Sequence, residues 1–203
     1  RSLPLKLNKV VSMQLSALEM PIAFYGISRG YGNYYIWIEI EYILPETIQS
    51  IIEPRVFQIP DGNYTVADLI AAFNAAICPK NPDGTIANPY DMFSYVVLNL
   101  DLNANGSGNG KVTISASSTS IVRIKLDFTR DVNGERTVAD ISSKIGWNLG
   151  FLKGSYDGKT SYIADTIADP FMTKYVYLAI DDFNNNSNTL FVNAFNQNAL
   201  TDR

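Results

Sequence analysis

Short segments in which apolar and polar residues alternate recur along this 203-residue chain. From Tyr34 to Tyr42, for example, Ile36, Ile38 and Ile40 fall on one face and the residues between them fall on the other. This period of two predicts half-buried β-strands, because successive side chains of a strand point to opposite faces. Turn-forming Asn, Asp, Gly and Pro separate the segments, which favours an all-β sandwich or barrel. The further predicted strands cover residues 11–20, 56–59, 93–100, 111–115, 121–128, 161–167, 175–182 and 189–195.

The segment Ile121 to Phe128 has a second clear alternation. It predicts a core face of Val122, Ile124, Leu126 and Phe128, with Arg123, Lys125 and Asp127 in water.

Two short helices are expected between strands. Apolar residues recur at helical spacing from Val66 to Ile77, and Thr65 with Asp68 three residues later can cap the first turn. The same four letters, Thr-Val-Ala-Asp, return at Thr137 to Asp140 and predict a second helix. No linker divides the chain, so we predict one domain over residues 1–203.

Several classes of function are disfavoured by composition. The chain has no histidine, which removes histidine-based catalytic triads and most zinc sites. Its net charge is −4 and its cations are scattered, which argues against nucleic-acid binding. No apolar stretch approaches the roughly 20 residues that span a bilayer. The single cysteine, Cys78, allows no intrachain disulfide and fits a protein made in a reducing cytosol.

Carboxylates offer the remaining chemistry, and we do not expect an enzyme. A glycosidase would need two facing acids, and Glu39 with Glu41 or Asp181 with Asp182 are the candidates. Asp101, which opens an Asn/Gly-rich segment, resembles the start of a calcium loop, but Val112 stands where a bidentate Glu is required. We therefore predict no metal and no cofactor.

Aromatic residues cluster between positions 25 and 37 and suggest contact with other molecules. Tyr and Trp are enriched at protein interfaces, although buried aromatics serve equally as core. Loops at the ends of a sandwich also carry contacts. We favour a subunit interface that includes Tyr31, Tyr35, Trp37, Glu39 and Asn105.

The order of several motifs resembles the penton, or vertex, proteins of large nucleocytoplasmic DNA viruses. The resemblance rests on Val10-Val-Ser-Met-Gln-Leu-Ser-Ala-Leu-Glu-Met-Pro21, Phe24-Tyr25-Gly-Ile-Ser28, Ile59-Pro-Asp-Gly-Asn-Tyr-Thr65 with the helix after it, Ile145-Gly-Trp-Asn-Leu-Gly-Phe151 and Tyr175-Val-Tyr-Leu-Ala-Ile-Asp-Asp-Phe183. Members of that family continue past a position like Arg203 with another apolar strand. That difference leaves open whether residues 1–203 hold the whole sandwich.

This resemblance implies a single jelly-roll β-sandwich with two short helices in its connections. It also implies a structural capsid protein, made in the host cytoplasm, that forms a homopentamer at the icosahedral vertex of the virion. The partners would be the major capsid protein and minor capsid proteins, with no nucleic acid and no membrane span. A minor capsid protein of the same virion and a carbohydrate-binding or attachment module remain alternatives, because fold alone does not decide function.

Overall fold

Antiparallel pairing organises most of the chain. A computed structural model describes residues 25–44, 46, 48–102, 108–171, 176–179 and 191–194. The strands are β1 (Tyr35–Ile43), β2 (Ser50–Gln58), β3 (Val96–Leu100), β4 (Val112–Ala116), β5 (Ile121–Asp127), β6 (Ser155–Lys159), β7 (Ser161–Ile163), β8 (Val176–Ala179) and β9 (Phe191–Ala194). The helices are α1 (Val66–Ile77) and α2 (Ile145–Asn148), with short 3₁₀ turns at Met92–Tyr95 and Ile141–Ser143.

Two larger sheets enclose one hydrophobic core. The first has the order β2-β1-β5-β6 and the second the order β3-β4-β7, while β8 and β9 pair as a hairpin. Ile36, Ile38 and Ile40 of β1 share the core with Ile114 of β4 and Phe73 of α1. Burying each such side chain stabilises the fold by about 1.5–3 kcal/mol. The described chain is thus mostly β and consistent with an all-β sandwich.

Helix α1 is confirmed at the predicted position. The Thr65 hydroxyl accepts a hydrogen bond from the Asp68 N–H at 3.1 Å, which satisfies one of the donors left open at a helix start. The second predicted helix does not begin at Thr137. There the Thr137 hydroxyl accepts from the Ala139 N–H, and Asp140 caps the 3₁₀ turn that precedes α2.

A β-bulge changes one position of the predicted core face of β5, whereas Ile124, Leu126 and Phe128 are buried as predicted. Tyr42 pairs with Ile121 and Glu41 with Arg123, so Val122 is an extra residue in the ladder. Ile121 therefore enters the core, whereas Val122 is 42% exposed. Asp127 was also predicted to lie in water, but it is buried, because Thr129 and Arg130 fold back onto its carboxylate.

Other boundaries differ for local reasons. Strand β2 begins at Ser50, well before the predicted start at residue 56. It continues through Pro54 because β2 is an edge strand, where a residue without an N–H is tolerated. Strand β3 starts only at Val96, after the 3₁₀ turn. Strand β6 was not predicted, since Asp157-Gly158 is typical of a turn. The predicted strand 11–20 lies outside the described residues.

The open edges of two strands are protected. In β2, the edge residues include Pro54, which has no N–H to offer another strand. In β3, the outward amide and carbonyl of Leu98 are both taken by Asn74 of α1, at 2.9 and 2.8 Å. Edge protection of this kind prevents uncontrolled sheet-to-sheet association.

Candidate functional site

Four charged side chains form an ion-pair cluster on the outer face of the first sheet. Pairing of β1 with β5 sets Glu41 beside Arg123, and Glu39 lies on the same face two residues away. The Arg123 guanidinium lies 2.8 Å from the Glu41 carboxylate, 3.0 Å from Glu39 and 2.7 Å from Asp157 of β6. We call these residues the Arg123 cluster. It ties three strands together through a single guanidinium.

Hydrogen bonds keep two carboxyls of the Arg123 cluster, those of Glu41 and Asp157, ionised. The Ser50 hydroxyl, and then Arg123, hold the pKa of Glu41 below its ordinary value. Burial alone would raise the pKa of Asp157, but the hydrogen bonds from Arg123 and the Gly158 N–H, together with the nearby positive charges, outweigh burial and lower that pKa. A carboxyl that stays ionised is a poor general acid near neutral pH. The cluster is thus suited to holding the sheet and presenting charge.

Tyr35 and Trp37, two predicted interface residues, are buried within the chain. They are 7% and 5% exposed, because the segment after β5 folds over this end of the outer face. The Arg130 guanidinium carbon lies 4.6 Å from the centre of the Trp37 ring, a favourable cation–π distance. The Tyr35 hydroxyl donates to the Arg130 carbonyl at 2.9 Å.

Lys144 meets Tyr35 beneath the same cover. Its ammonium donates to the Tyr35 hydroxyl at 3.1 Å, and the lysine is buried. Burial lowers the pKa of Lys144, because a low-dielectric site disfavours the charged form. Burial likewise raises the pKa of Tyr35, with the nearby charge of Asp131 adding to the effect.

The remaining predicted interface residues differ in exposure. Tyr31 is 47% exposed in the turn before β1. The Glu39 side chain is 17% exposed within the Arg123 cluster. Asn105 lies outside the described residues. The interface role of all five residues stays a prediction, and Tyr31 offers the largest accessible surface among those the structure describes.

Segments that are distant in the sequence meet around Gly26. Ile27 and Gly62 exchange two backbone hydrogen bonds, of 3.1 and 2.9 Å. The buried Asn33 side chain donates to the Gly26 carbonyl at 2.8 Å and to the Asn148 side chain at 3.3 Å. A Cβ on Gly26 would lie only 2.9 Å from the Pro170 carbonyl oxygen. Residues 26–28, 59–65 and 145–151 therefore belong to one packed unit.

An open groove of about 550 Å³ runs between β6 and β7. Strand β6 belongs to the first sheet and β7 to the second, and Thr160 alone connects them. The lining includes Lys153, Lys159, Tyr156 and Asp165. Sequence reasoning missed this groove, because it arises where the edges of two sheets meet. The only local signal was the pair of tyrosines spaced six residues apart.

The described part of the chain contains no candidate metal site. Among those residues, no group of three or more Cys, Asp or Glu side chains is placed to hold an ion. The Asp101 carboxylate, the start of the calcium-like segment, accepts a hydrogen bond from the Asn109 N–H at 3.3 Å. Residues 103–107, which carry the other candidate ligands, lie outside the described ranges. No helix in the described ranges is long and apolar enough to cross a bilayer.

These features define a β-rich protein whose outer sheet face carries an ion-pair cluster and whose two sheet edges form a polar groove. Comparison with family models, with curated proteins and with solved structures finds no match to this chain.

Proposed function

We propose that this protein is a structural capsid subunit that assembles into the pentameric vertex of an icosahedral virion. The single observation that carries the proposal is the packed unit around Gly26. Two of the motifs that resemble vertex proteins contact each other there, through the hydrogen bonds between Ile27 and Gly62. The buried Asn33 side chain links Gly26 to Asn148 of a third motif, at residues 145–151. A jelly-roll strand order belongs to the same proposal.

Self-association fits the surface chemistry. A ring of five needs a heterologous interface, in which two different surfaces of each subunit meet. The ionised Arg123 cluster, with Lys125 beside it, presents charges of both signs. Such a patch favours one docking orientation over others more than it raises affinity. The neighbours in the shell would be major and minor capsid proteins.

Native mass spectrometry over a range of protein concentrations tests the proposal. We expect a species with five times the subunit mass that dissociates on dilution. A protein that remains monomeric at every accessible concentration would exclude a vertex ring. A protein that does not self-associate but binds to other shell proteins would favour a minor capsid position.

A carbohydrate-binding module is the second candidate, favoured by exposed aromatic side chains. Tyr25, Trp147 and Phe171 are 55%, 43% and 57% exposed. They lie on segments that the contacts of Gly26 with Pro170 and of Asn148 with Asp169 bring together. Exposed rings can stack on sugars. Binding of the monomer to a glycan array, lost on Trp147→Ala, would support this function over the shell function.

A further inference from the structure

Strand β7 keeps one edge open. The residues on either side of β7, Thr160 and Ala164, form hydrogen bonds with Ala116 and Val112 at the two ends of β4. In this antiparallel ladder every second residue of β7 bonds to β4. The N–H and C=O groups of Ser161 and Ile163 therefore point away from β4, into the groove. Within the described chain no strand pairs with them.

This edge lacks the protection that the β2 and β3 edges have. Pro54 interrupts β2 and Asn74 occupies the outward groups of Leu98 in β3. At β7, by contrast, Ile163 is 61% exposed next to its unpaired backbone groups. An open edge with an exposed apolar side chain is a template for an added strand.

Two lysines of the groove favour an acidic segment. Asp157 is committed to Arg123, and Asp165 is committed to the Tyr156 hydroxyl and the Leu152 N–H. Lys153 and Lys159 form no ion pair with any described residue. The Asp165 charge stays in the groove, because its hydrogen bonds come from uncharged groups. The two ammonium groups still have no ion-pair partner among the described residues and can attract carboxylates of an incoming strand.

The chain itself contains a hairpin that could supply the added strand. Strands β8 and β9 pair with each other and with no other strand among the described residues. A two-stranded hairpin is marginally stable alone and gains from a third strand. In the sequence, Asp181 and Asp182 follow β8 after one residue, so the segment that connects β8 to β9 carries negative charge.

We propose that the β6–β7 groove accepts the β8–β9 hairpin of a second copy of this chain, which adds a strand at Ser161 and Ile163. The inference rests on the proposed self-assembly and names the surfaces that make the contact. Groove and hairpin are different surfaces, as a closed ring of identical subunits requires.

Hydrogen exchange of the intact protein tests the added strand. Deuterium uptake is followed by mass spectrometry at concentrations above and below the assembly transition. Assembly should slow exchange of the Ser161 and Ile163 amides by about tenfold or more, because strand hydrogen bonds protect amides. Equal exchange in the assembled and dissociated states would overturn the inference. Protection that persists unchanged in the monomer would show that the chain's own hairpin fills the groove, and would also overturn it.

Charge reversal provides a second measurement that leaves the core untouched. The double variant Lys153→Glu/Lys159→Glu should raise the concentration at which the assembly dissociates by about tenfold or more. The control is Lys80→Glu/Arg136→Glu, which makes the same change in net charge at exposed residues outside the groove. Equal dissociation of the two double variants would contradict the assignment.

The two proposals fail in different ways. Pentamers whose β7 edge exchanges freely would remove only the groove as the contact surface. A chain with no assembly at any concentration would remove the pentamer and, with it, the second copy in the groove.

Discussion

At the scale of single residues, glycines mark where backbones approach most closely. Gly150 has φ +89°, and a Cβ there would lie 2.2 Å from the Thr166 carbonyl oxygen. Gly158 has nearly the same φ, +88°, but a Cβ there would meet nothing within 4 Å. The two positions therefore separate the cost of a left-handed conformation from the cost of a clash.

We expect Gly158→Ala to lower the free energy of unfolding by about 1 kcal/mol, the cost of a left-handed alanine. Gly150→Ala should lower it by about 3 kcal/mol or more, since the backbone must also move. Urea unfolding followed by circular dichroism measures both. Equal losses in the two variants would mean that the contact with Thr166 relaxes without cost.

Asp127 shows what residue patterns miss. Alternation placed it in water, but its carboxylate accepts hydrogen bonds from Thr129 and Arg130 and is buried. The predicted exposure followed from the period of the strand. The burial follows from the turn after β5, and the alternation of apolar and polar residues does not predict the direction of that turn.

At the scale of elements, α1 protects the β3 edge through a single side chain. Asn74→Ala would leave the Leu98 amide and carbonyl without these partners. We expect a loss of about 1–3 kcal/mol in unfolding free energy, the usual cost of unsatisfied buried polar groups. Asn81→Ala, which removes one exposed hydrogen bond to Thr85, should change stability by less than about 0.5 kcal/mol. The same denaturant titration compares them.

Elements with strong local signals were predictable. The cap at Thr65 and the apolar spacing of α1 were both in the sequence, and the alternation in β1 located its core face. The burial of Tyr35 and Trp37 was not predictable, because the cover comes from Arg130, which is 95 residues from Tyr35 in the sequence. The bulge at Val122 likewise depends on the register with β1 and not on β5 alone.

At the scale of the whole molecule, ionised carboxylates make stability depend on pH. Burial would raise the pKa of Asp127, but its hydrogen bonds to Thr129 and Arg130 lower that pKa below the ordinary 3.8. A carboxyl with a lowered folded-state pKa stabilises the fold above its unfolded-state pKa, and this contribution is lost as pH falls through the folded-state value. Asp157 and Glu41 act in the same direction.

Between about pH 5 and pH 7 stability should therefore be level, and it should fall progressively at lower pH. Asp127→Asn should lose about 1–3 kcal/mol at pH 7, since it breaks the pair with Arg130, and should show a shallower decline in acid. Thermal unfolding from pH 2 to pH 7 measures both slopes. Parallel curves for the two proteins would show that Asp127 does not contribute to the acid response.

The corner at Thr160 constrains how the two sheets can move. One residue joins β6 to β7, and the Tyr162 hydroxyl accepts from the Lys159 N–H at 2.7 Å while donating to the Ile124 carbonyl at 3.1 Å. A side chain of the smaller sheet is thereby fastened to two strands of the larger one. These hydrogen bonds hold β6 and β7 together next to Thr160. The β6–β7 groove can therefore widen only at the end that is far from Thr160.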